Sequence, residues 1–454
     1  MNELLDGYLK KRRAKTPRRP SGTATKQAEQ PRTVAPPTPP RRNLGDRLRR
    51  PSRTTLIASL AVAATIAGSM TIQSGPRTPG VVPKMPDVVP KPPGVEQHEA
   101  SPHNEDYTDC GRGETADAEA KNGPLDMFGT QSFSKQLVPC GAPIRKNSEQ
   151  IMSDIYNNQI TNKSINNTGT IYMNAGGSYS AGMFAADKSD SLYKVEFDNN
   201  DGNCNADFLN TVDELRVPSD AKAAEGTDME VAIYDEEQNI LAEFWRSSID
   251  HDNKVIKACW GGVKHNASKS TGVFERPYGV AAAGTVMSAT QLNADDMKAV
   301  LDGGEINHVM GLALVGVKPG EVGVANRHDS YMPGGIGETV SEGSMMTWPD
   351  GMKKPEGLSM AAEAIWRQIM KYGIIIEDKS GAISARGQNP DSLEDPSLYD
   401  KFLENRSWEE VMSELPWDEL VLLDENYLTI KDGDTVVKRL GDGDKTLEFS
   451  GSND

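Results

Sequence analysis

The sequence predicts a mainly β protein whose body is an antiparallel β-sandwich or a barrel-like domain with one or two inserted helices. Short runs rich in β-forming residues recur along the body and are separated by Gly, Asn and Asp turns, which is typical of sandwiches and barrels. A long uncharged stretch precedes them and predicts a single transmembrane helix, with a disordered tail before it and the β domain outside the cell. The predicted strands are Leu192–Phe197, Met229–Tyr234, Ile240–Arg246, Val255–Trp260 and Ile306–Leu314.

Residues 1–53 are predicted to be a basic, disordered tail in the cytoplasm. They hold 15 Lys and Arg residues against four acidic residues, a net charge of +11, while the whole chain carries −17. The tail has almost no large apolar residues and therefore buries too little to offset the entropy of folding. The rest of the chain is strongly acidic and repels phosphate, which argues against nucleic acid as a partner.

Residues 54–73 are the predicted transmembrane helix. The run from Leu56 to Ile72 contains no charged residue, and 20 residues at 1.5 Å each cross a hydrocarbon core of about 30 Å. Arg49, Arg50 and Arg53 come directly before it, so the positive-inside rule places the N-terminus in the cytoplasm. The alternative is a cleaved secretory signal, but such signals total about 15–30 residues and here 53 residues precede the run. We therefore expect a single-pass cell-membrane protein.

Three regions are predicted beyond the membrane. Residues 74–104 are too rich in proline for a helix or an inner strand and should form an extended spacer. Residues 105–425 should form the extracellular β-rich domain. Residues 426–454 should form a C-terminal hairpin, with Asp432 and Gly433 at its turn, and an acidic tail.

Four cysteines, all beyond the predicted membrane segment, favour a structural role. An even number in an oxidising compartment indicates disulfides, and three pairings are possible. We favour Cys110 with Cys140 and Cys204 with Cys259. Their spacing matches no zinc signature, and we expect neither a metal nor another cofactor.

Two helices and one further hairpin are predicted late in the domain. Apolar residues keep helical spacing from Ser359 to Lys371, where Ser359 can cap the start and Gly373 can close the end. A short helix begins at Ser407, where the sequence SWEE has capping-box spacing. Residues 374–377 and 382–385 flank a turn and predict a hairpin.

Several short motifs follow one another along the chain, and they are EFW at 243–245, WGG at 260–262, INH at 306–308, RHD at 327–329, YG at 372–373 and PWD at 416–418. Their order and spacing resemble those of a family of secreted bacterial proteins, common in actinobacteria and uncharacterised in activity. The resemblance covers about residues 125–425 and implies a secreted or surface-exposed domain but no particular activity. Asn307 stands where members of that family usually have Asp, so no acidic role is implied at that position.

Three side chains are candidates for catalysis. Asp235 and Glu243 lie on neighbouring predicted strands, and two carboxyl groups about 5–9.5 Å apart can cleave a glycosidic bond as acid and base. His308 lies beside Glu305 on an otherwise apolar predicted strand. A structural interpretation stays open for each, as a hydrogen-bonded core histidine or a solvated carboxylate. The sequence has no Gly-rich phosphate loop, no HExxH helix and no GxSxG elbow.

Four further residues are candidates for binding a ligand. Trp245 and Trp260 lie on adjacent predicted strands and could stack on sugar rings or fill the core. His328 and Asp329 lie together in a polar motif. The sequence thus favours a membrane-anchored surface protein that recognises or processes a cell-envelope polysaccharide. Two alternatives stay open, a non-catalytic structural or adhesive envelope protein and a scaffold component of a secretion or conjugation apparatus.

Overall fold

A computed structural model describes residues 110–112, 121–198, 204, 212–431, 436–440 and 446–448, all of which belong to the unit Glu96–Asp454. The predicted tail 1–53, membrane helix 54–73 and spacer 74–104 lie outside these residues. Among the described residues, no helix combines the length and the apolar character that crossing a membrane requires.

The described residues are mainly β, with curled sheets and few helices. The early strands are β1 (Tyr172–Asn174), β2 (Gly182–Ala186), β3 (Ser191–Phe197), β4 (Glu214–Val217), β5 (Val231–Asp235), β6 (Ile240–Asp250), β7 (Val255–His265) and β8 (Met310–Leu314). The later strands are β9 (Lys318–Glu321), β10 (Ser341–Glu342), β11 (Met345–Thr347), β12 (Ile374–Lys379), β13 (Ser384–Arg386), β14 (Val421–Leu422), β15 (Leu428–Lys431), β16 (Val436–Leu440) and β17 (Thr446–Glu448).

Two six-stranded sheets form the body. The first has the order β1-β13-β8-β12-β11-β14, and the second has the order β2-β5-β6-β7-β3-β4. Both sheets are mixed, with parallel pairs β1–β13, β8–β12, β2–β5 and β3–β7, so the prediction of antiparallel sheets was wrong. Helices and long loops connect many strands and return the chain in the same direction, which permits parallel pairing. Short sheets join β9 to β10 and, at the C-terminus, β15 to β16 to β17.

The predicted hairpin at residues 374–385 was also wrong. Its two segments are β12 and β13, but β8 lies between them in the first sheet and pairs with both. A strand that begins 64 residues before β12 thus replaces the local partner, which the turn residues alone do not reveal.

The described part of the chain contains more helices than the one or two that we expected. They are α1 (Ser148–Ile155), which continues as a π-helix at Tyr156–Ile160, α2 (Ala294–Leu301), α3 (Met360–Tyr372), α4 (Leu398–Phe402) and α5 (Trp408–Met412). Ser359 caps α3 through the amide of Ala362, and Gly373 ends it with φ 78°. Ser407 and Glu410 form the predicted capping box of α5.

The second sheet is covered on both faces. Along β6, Leu241 points into the main core, which it shares with the first sheet and α3, while Ile240, Ala242 and Phe244 point into a second core. This is the alternation that the sequence predicts for a strand. Further along, Ile249 also packs in the second core, so the alternation reverses between Phe244 and Ile249. Arg246, with φ 49°, lies at this reversal and kinks the β6–β7 ribbon.

Both disulfides join the pairs that the sequence favoured. Cys110 is bonded to Cys140 and Cys204 to Cys259, with Cα atoms 5.7 Å and 4.9 Å apart. Among the described residues there is no free cysteine. Cys259 of the second disulfide lies in β7 beside Trp260, so the bond ties this part of the ribbon to Cys204.

Candidate functional site

Asp235 and Glu243 point to opposite faces of the second sheet. In the β5–β6 register Asp235 is opposite Ile240, whereas Glu243 lies three residues further along β6 and opposite Ala232. Because side chains alternate along a strand, an offset of three residues reverses the face. Paired action of these two carboxyl groups on one glycosidic bond, which the sequence suggested, was therefore wrong.

Each of these two carboxylates has its own fixed partners. Asp235 accepts hydrogen bonds from the amides of Arg216 and Gln238, both at 3.0 Å, and is fully buried. Glu243 accepts from the amides of Met287 and Ser288 and from the Ser288 hydroxyl at 2.7 Å. These bonds occupy both carboxylates within the fold.

His308 lies before β8, on a bend, and is not on a strand as we predicted. It is 4% exposed, and both ring nitrogens are engaged, Nε2 with Asp296 at 2.9 Å and Nδ1 with the Val309 carbonyl at 2.8 Å. Burial alone would lower the pKa of His308, but the Asp296 carboxylate outweighs it and the pKa is raised. Burial likewise acts to raise the pKa of Asp296, which the histidine nevertheless holds below its ordinary value. The pair is a buried contact between the first turn of α2 and the start of β8.

Trp245 and Trp260 lie directly opposite each other where the β6–β7 ribbon kinks. Both are half-buried. The Trp245 indole donates to Asp228 at 3.2 Å, and the Arg246 guanidinium lies 4.4 Å from its ring centroid. Trp260 stacks on Tyr278, with ring centroids 5.8 Å apart and planes at 30°. We call Trp245, Trp260 and Tyr278 the aromatic surface.

The RHD motif lies beside the aromatic surface because both bind the same carbonyl. The Gly279 oxygen accepts from the Trp260 indole at 2.7 Å and from the Arg327 guanidinium at 2.6 Å. Arg327 also donates to the carbonyl of Ala281. The four residues that the sequence singled out for ligand binding, Trp245, Trp260, His328 and Asp329, therefore lie in one neighbourhood.

Exposure of the RHD motif increases along the chain. Arg327 is half-buried, whereas His328 and Asp329 are exposed. The His328 ring lies 3.6 Å from Glu321, and Asp329 pairs with Lys379. The motif therefore presents an imidazole and a carboxylate to solvent next to half-buried aromatic rings.

Beneath Asp329 lies a second, fully buried carboxyl group, that of Glu342. The Asp329 amide lies 3.5 Å from Glu342 Oε1, and Glu342 Oε2 is buried. Burial and the neighbouring Asp329 carboxyl raise the pKa of Glu342 to about 9, so this side chain is protonated at neutral pH.

Arg386 gathers a further set of buried carboxyl groups between the two sheets. It pairs with Asp378 at 2.6 Å, with Glu377 at 3.2 Å and with Glu230, at the start of the second sheet, at 3.3 Å. Glu377 and Asp378 are consecutive and would point to opposite faces of a regular strand. The β12–β8 register shifts between Ile376 and Asp378, and this bulge directs both carboxylates onto one guanidinium. We call Arg386, Glu230, Glu377 and Asp378 the arginine cluster.

Burial raises the pKa of Glu230 and of Glu377 to about 7 in each case, although Arg386 acts in the opposite direction. Burial also raises the pKa of Asp378. One guanidinium balances one negative charge, so the cluster is neutral only when it keeps protons. It therefore changes its net charge in the range around neutral pH.

The sequence did not single out Tyr278, Arg327, Glu342 or the arginine cluster as site residues. Tyr278 and Arg327 each belong to a short motif, and this is the feature of the sequence that could have identified them as site residues. The convergence of the carboxyl groups depends on the bulge in β12 and on the packing of two sheets, neither of which has a local pattern. Among the described residues, no group of three or more His, Cys, Asp or Glu side chains is arranged to hold a metal ion.

Comparison with known proteins found no matching family model, no matching curated protein and no matching solved structure.

Proposed function

We propose that the aromatic surface and the RHD motif bind a cell-envelope polysaccharide, and that the chain is a membrane-anchored protein that displays this site outside the cell. The observation that carries the proposal is the shared Gly279 carbonyl, which brings Trp260 and Arg327 together. Indole and phenol rings stack on the apolar faces of sugars, and adjacent ionic groups hydrogen-bond to their hydroxyl groups.

The function that we propose is the binding of a polysaccharide and not its cleavage. Asp235, Glu243 and His308 lie in three separate places, and each is engaged by the fold. This arrangement supports a recognition site.

The display outside the cell rests on the sequence and is supported by the disulfides. Two disulfides suit an oxidising compartment, and the uncharged run at 54–73 with its preceding arginines suits a membrane anchor. The acidic charge of the body is compatible with a polysaccharide and unfavourable for nucleic acid.

Retention on cell-wall polysaccharide tests the proposal. The full chain, purified in mild detergent, is incubated with insoluble cell-wall polysaccharide, and both the retained protein and the released reducing ends are measured. We expect retention without reducing ends, and at least about a tenfold weaker retention for Trp245→Ala, in line with the loss of one aromatic anchor. Trp408→Ala is the matched control, because Trp408 is also a half-buried tryptophan but packs against Tyr399 and Phe402 on α4.

Equal retention of wild type and Trp245→Ala would contradict the proposed surface. No retention of the wild type would favour the structural, adhesive or scaffold functions. Release of reducing ends by the wild type would show that the domain is an enzyme.

A further inference from the structure

We propose that the arginine cluster is a proton-controlled latch between the two sheets, which holds the aromatic surface in place at mildly acidic pH and loosens it as the pH rises. The effect on ligand binding rests on the proposed function, whereas the latch itself does not.

The latch spans the two sheets through a single side chain. Arg386 belongs to the first sheet, where it also contacts Glu377 and Asp378, and it crosses to Glu230 at the start of β5 in the second sheet. All four groups are buried or nearly so. Charges that water does not screen interact strongly, so the number of protons in the cluster decides whether the contact attracts or repels.

The further cations near the cluster face Asp378 and not the crossing point at Glu230. Arg327 donates to the carbonyls of Gly279 and Ala281, and Lys379 is paired with Asp329. Asp329 and Glu342 add negative charge near Asp378, while Glu243 on β6 and Asp228 before β5 add it near Glu230. Hydroxyl groups of Thr285 and Thr290 donate to Glu377, which stabilises its charged form without adding positive charge.

A short segment connects the latch to the aromatic surface. Asp228, Met229 and Glu230 are consecutive, and Asp228 accepts the hydrogen bond of the Trp245 indole. The Met229 carbonyl accepts from the backbone amide of Ser247 and from its hydroxyl, at 3.1 Å and 2.8 Å. When Glu230 ionises, the burial of its charge, and then the repulsion from the neighbouring carboxylates, outweigh the attraction to Arg386 and act on the segment that positions Trp245.

Hydrogen exchange as a function of pH tests the latch in the full chain. We expect the protection factors of amides in β5, β6 and β13 to fall at least about tenfold between pH 6 and pH 8, which corresponds to about one pKa unit of linkage. In Glu230→Gln combined with Glu377→Gln, these two side chains stay neutral at every pH, so we expect the fall in protection between pH 6 and pH 8 to be at least about tenfold smaller than in the wild type. Glu363→Gln is the control, because Glu363 is on α3 and pairs with Lys354 and Arg367, outside the arginine cluster.

Protection in the wild type that is equal at pH 6 and pH 8 would overturn the latch. A fall in the double variant as large as in the wild type would overturn it too. If the double variant does not fold, Glu377→Gln alone decides the matter, since its fall should be smaller than that of the wild type and of Glu363→Gln, and an equal fall would overturn the latch.

Polysaccharide retention at the same two pH values separates the latch from the proposed function. If protection depends on pH and retention is stronger at pH 6, the latch and the proposed function are both supported. If protection depends on pH but the protein is not retained at either pH, the latch is supported and the proposed function is overturned. Constant protection with retention keeps the proposed function and overturns the latch.

Discussion

His308 and His328 occupy opposite environments in this chain. His308 is buried and bonded at both nitrogens, whereas His328 is exposed beside Asp329. We expect His308→Ala to lower the free energy of unfolding by about 1–3 kcal/mol or more, because it leaves the Asp296 carboxylate buried without its partner. We expect His328→Ala to leave the thermal midpoint within a few degrees and to weaken polysaccharide retention.

Thermal unfolding and polysaccharide retention of both variants check this pair. Each variant serves as the control for the other, because His308→Ala should lower the stability and His328→Ala should weaken the retention at nearly unchanged stability. A His308→Ala protein with unchanged stability and no retention would instead assign a binding role to His308.

The arginine cluster also makes stability depend on pH. The pKa of Glu230 and Glu377 is about 7 in the folded chain, against an ordinary value of 4.5. Between these values the folded state binds more protons than the unfolded state, so the free energy of unfolding falls as the pH rises from about 4.5 to 7. Each group contributes on the order of 3 kcal/mol to this fall.

Chemical denaturation of the wild type and Glu377→Gln at pH 5 and pH 8 measures this contribution. The glutamine removes one titrating group of the cluster, so the difference between the two pH values should shrink by about the contribution of that one group. A difference of the same size in both proteins would mean that Glu377 does not titrate in this range.

At the residue scale, the sequence identified candidate site residues more successfully than it predicted which of them lie close together in the fold. Trp245, Trp260, His328 and Asp329 share one neighbourhood, because Trp260 and Arg327 both bind the Gly279 carbonyl. Glu243 and Asp235 do not, because an offset of three residues places them on opposite faces. Register can be argued from sequence only when the strand partners are known.

Gly373 determines how α3 passes into β12. Its φ of 78° and ψ of −169° lie in a region that is essentially restricted to glycine, and a Cβ there would lie 2.8 Å from the Met346 carbonyl oxygen in β11. We expect Gly373→Ala to cost about 1–3 kcal/mol from the backbone and more from the displaced β11–β12 pairing. Gly351→Ala is the matched control, since Gly351 has φ 73° and no atom of the described residues lies within 4 Å of the added methyl group.

Denaturant unfolding of both variants compares the two costs. The larger loss should be that of Gly373→Ala, by about 1 kcal/mol or more. Equal losses would mean that β11 shifts freely and that the contact does not matter.

At the element scale, features with local causes could be predicted and features with distant causes could not. The caps of α3 and α5 and the alternation along β6 depend on residues within a few positions. The pairing of β8 with β12 and β13 depends on a strand about 60 residues away, and turn signals favoured a hairpin in its place. The mixed sheets could therefore not be predicted from strands that are neighbours in the sequence.

At the scale of the whole molecule, the two disulfides predict a chain without free thiols. We expect no reactive thiol when the native protein is denatured without reductant, and four after reduction. Replacing either pair by serine should lower the stability by about 2–4 kcal/mol, because the unfolded chain regains conformational freedom. Four reactive thiols before reduction would contradict the disulfides and, with them, the support for an oxidising compartment.

The orientation across the membrane is the prediction that connects the tail to the body. Because Arg49, Arg50 and Arg53 precede an uncharged run of membrane-spanning length, we expect the N-terminus to stay in the cytoplasm. A protease added to intact cells should then remove the body and leave a membrane fragment of about the first 75 residues, a length set by the end of the ~20-residue span. An N-terminal epitope tag detects this fragment, and permeabilised cells, in which the protease also reaches the tail, are the control. The full body in the culture medium with a new N-terminus just after Ser69 would instead identify a cleaved secretory signal, and the aromatic surface would then act in a released protein.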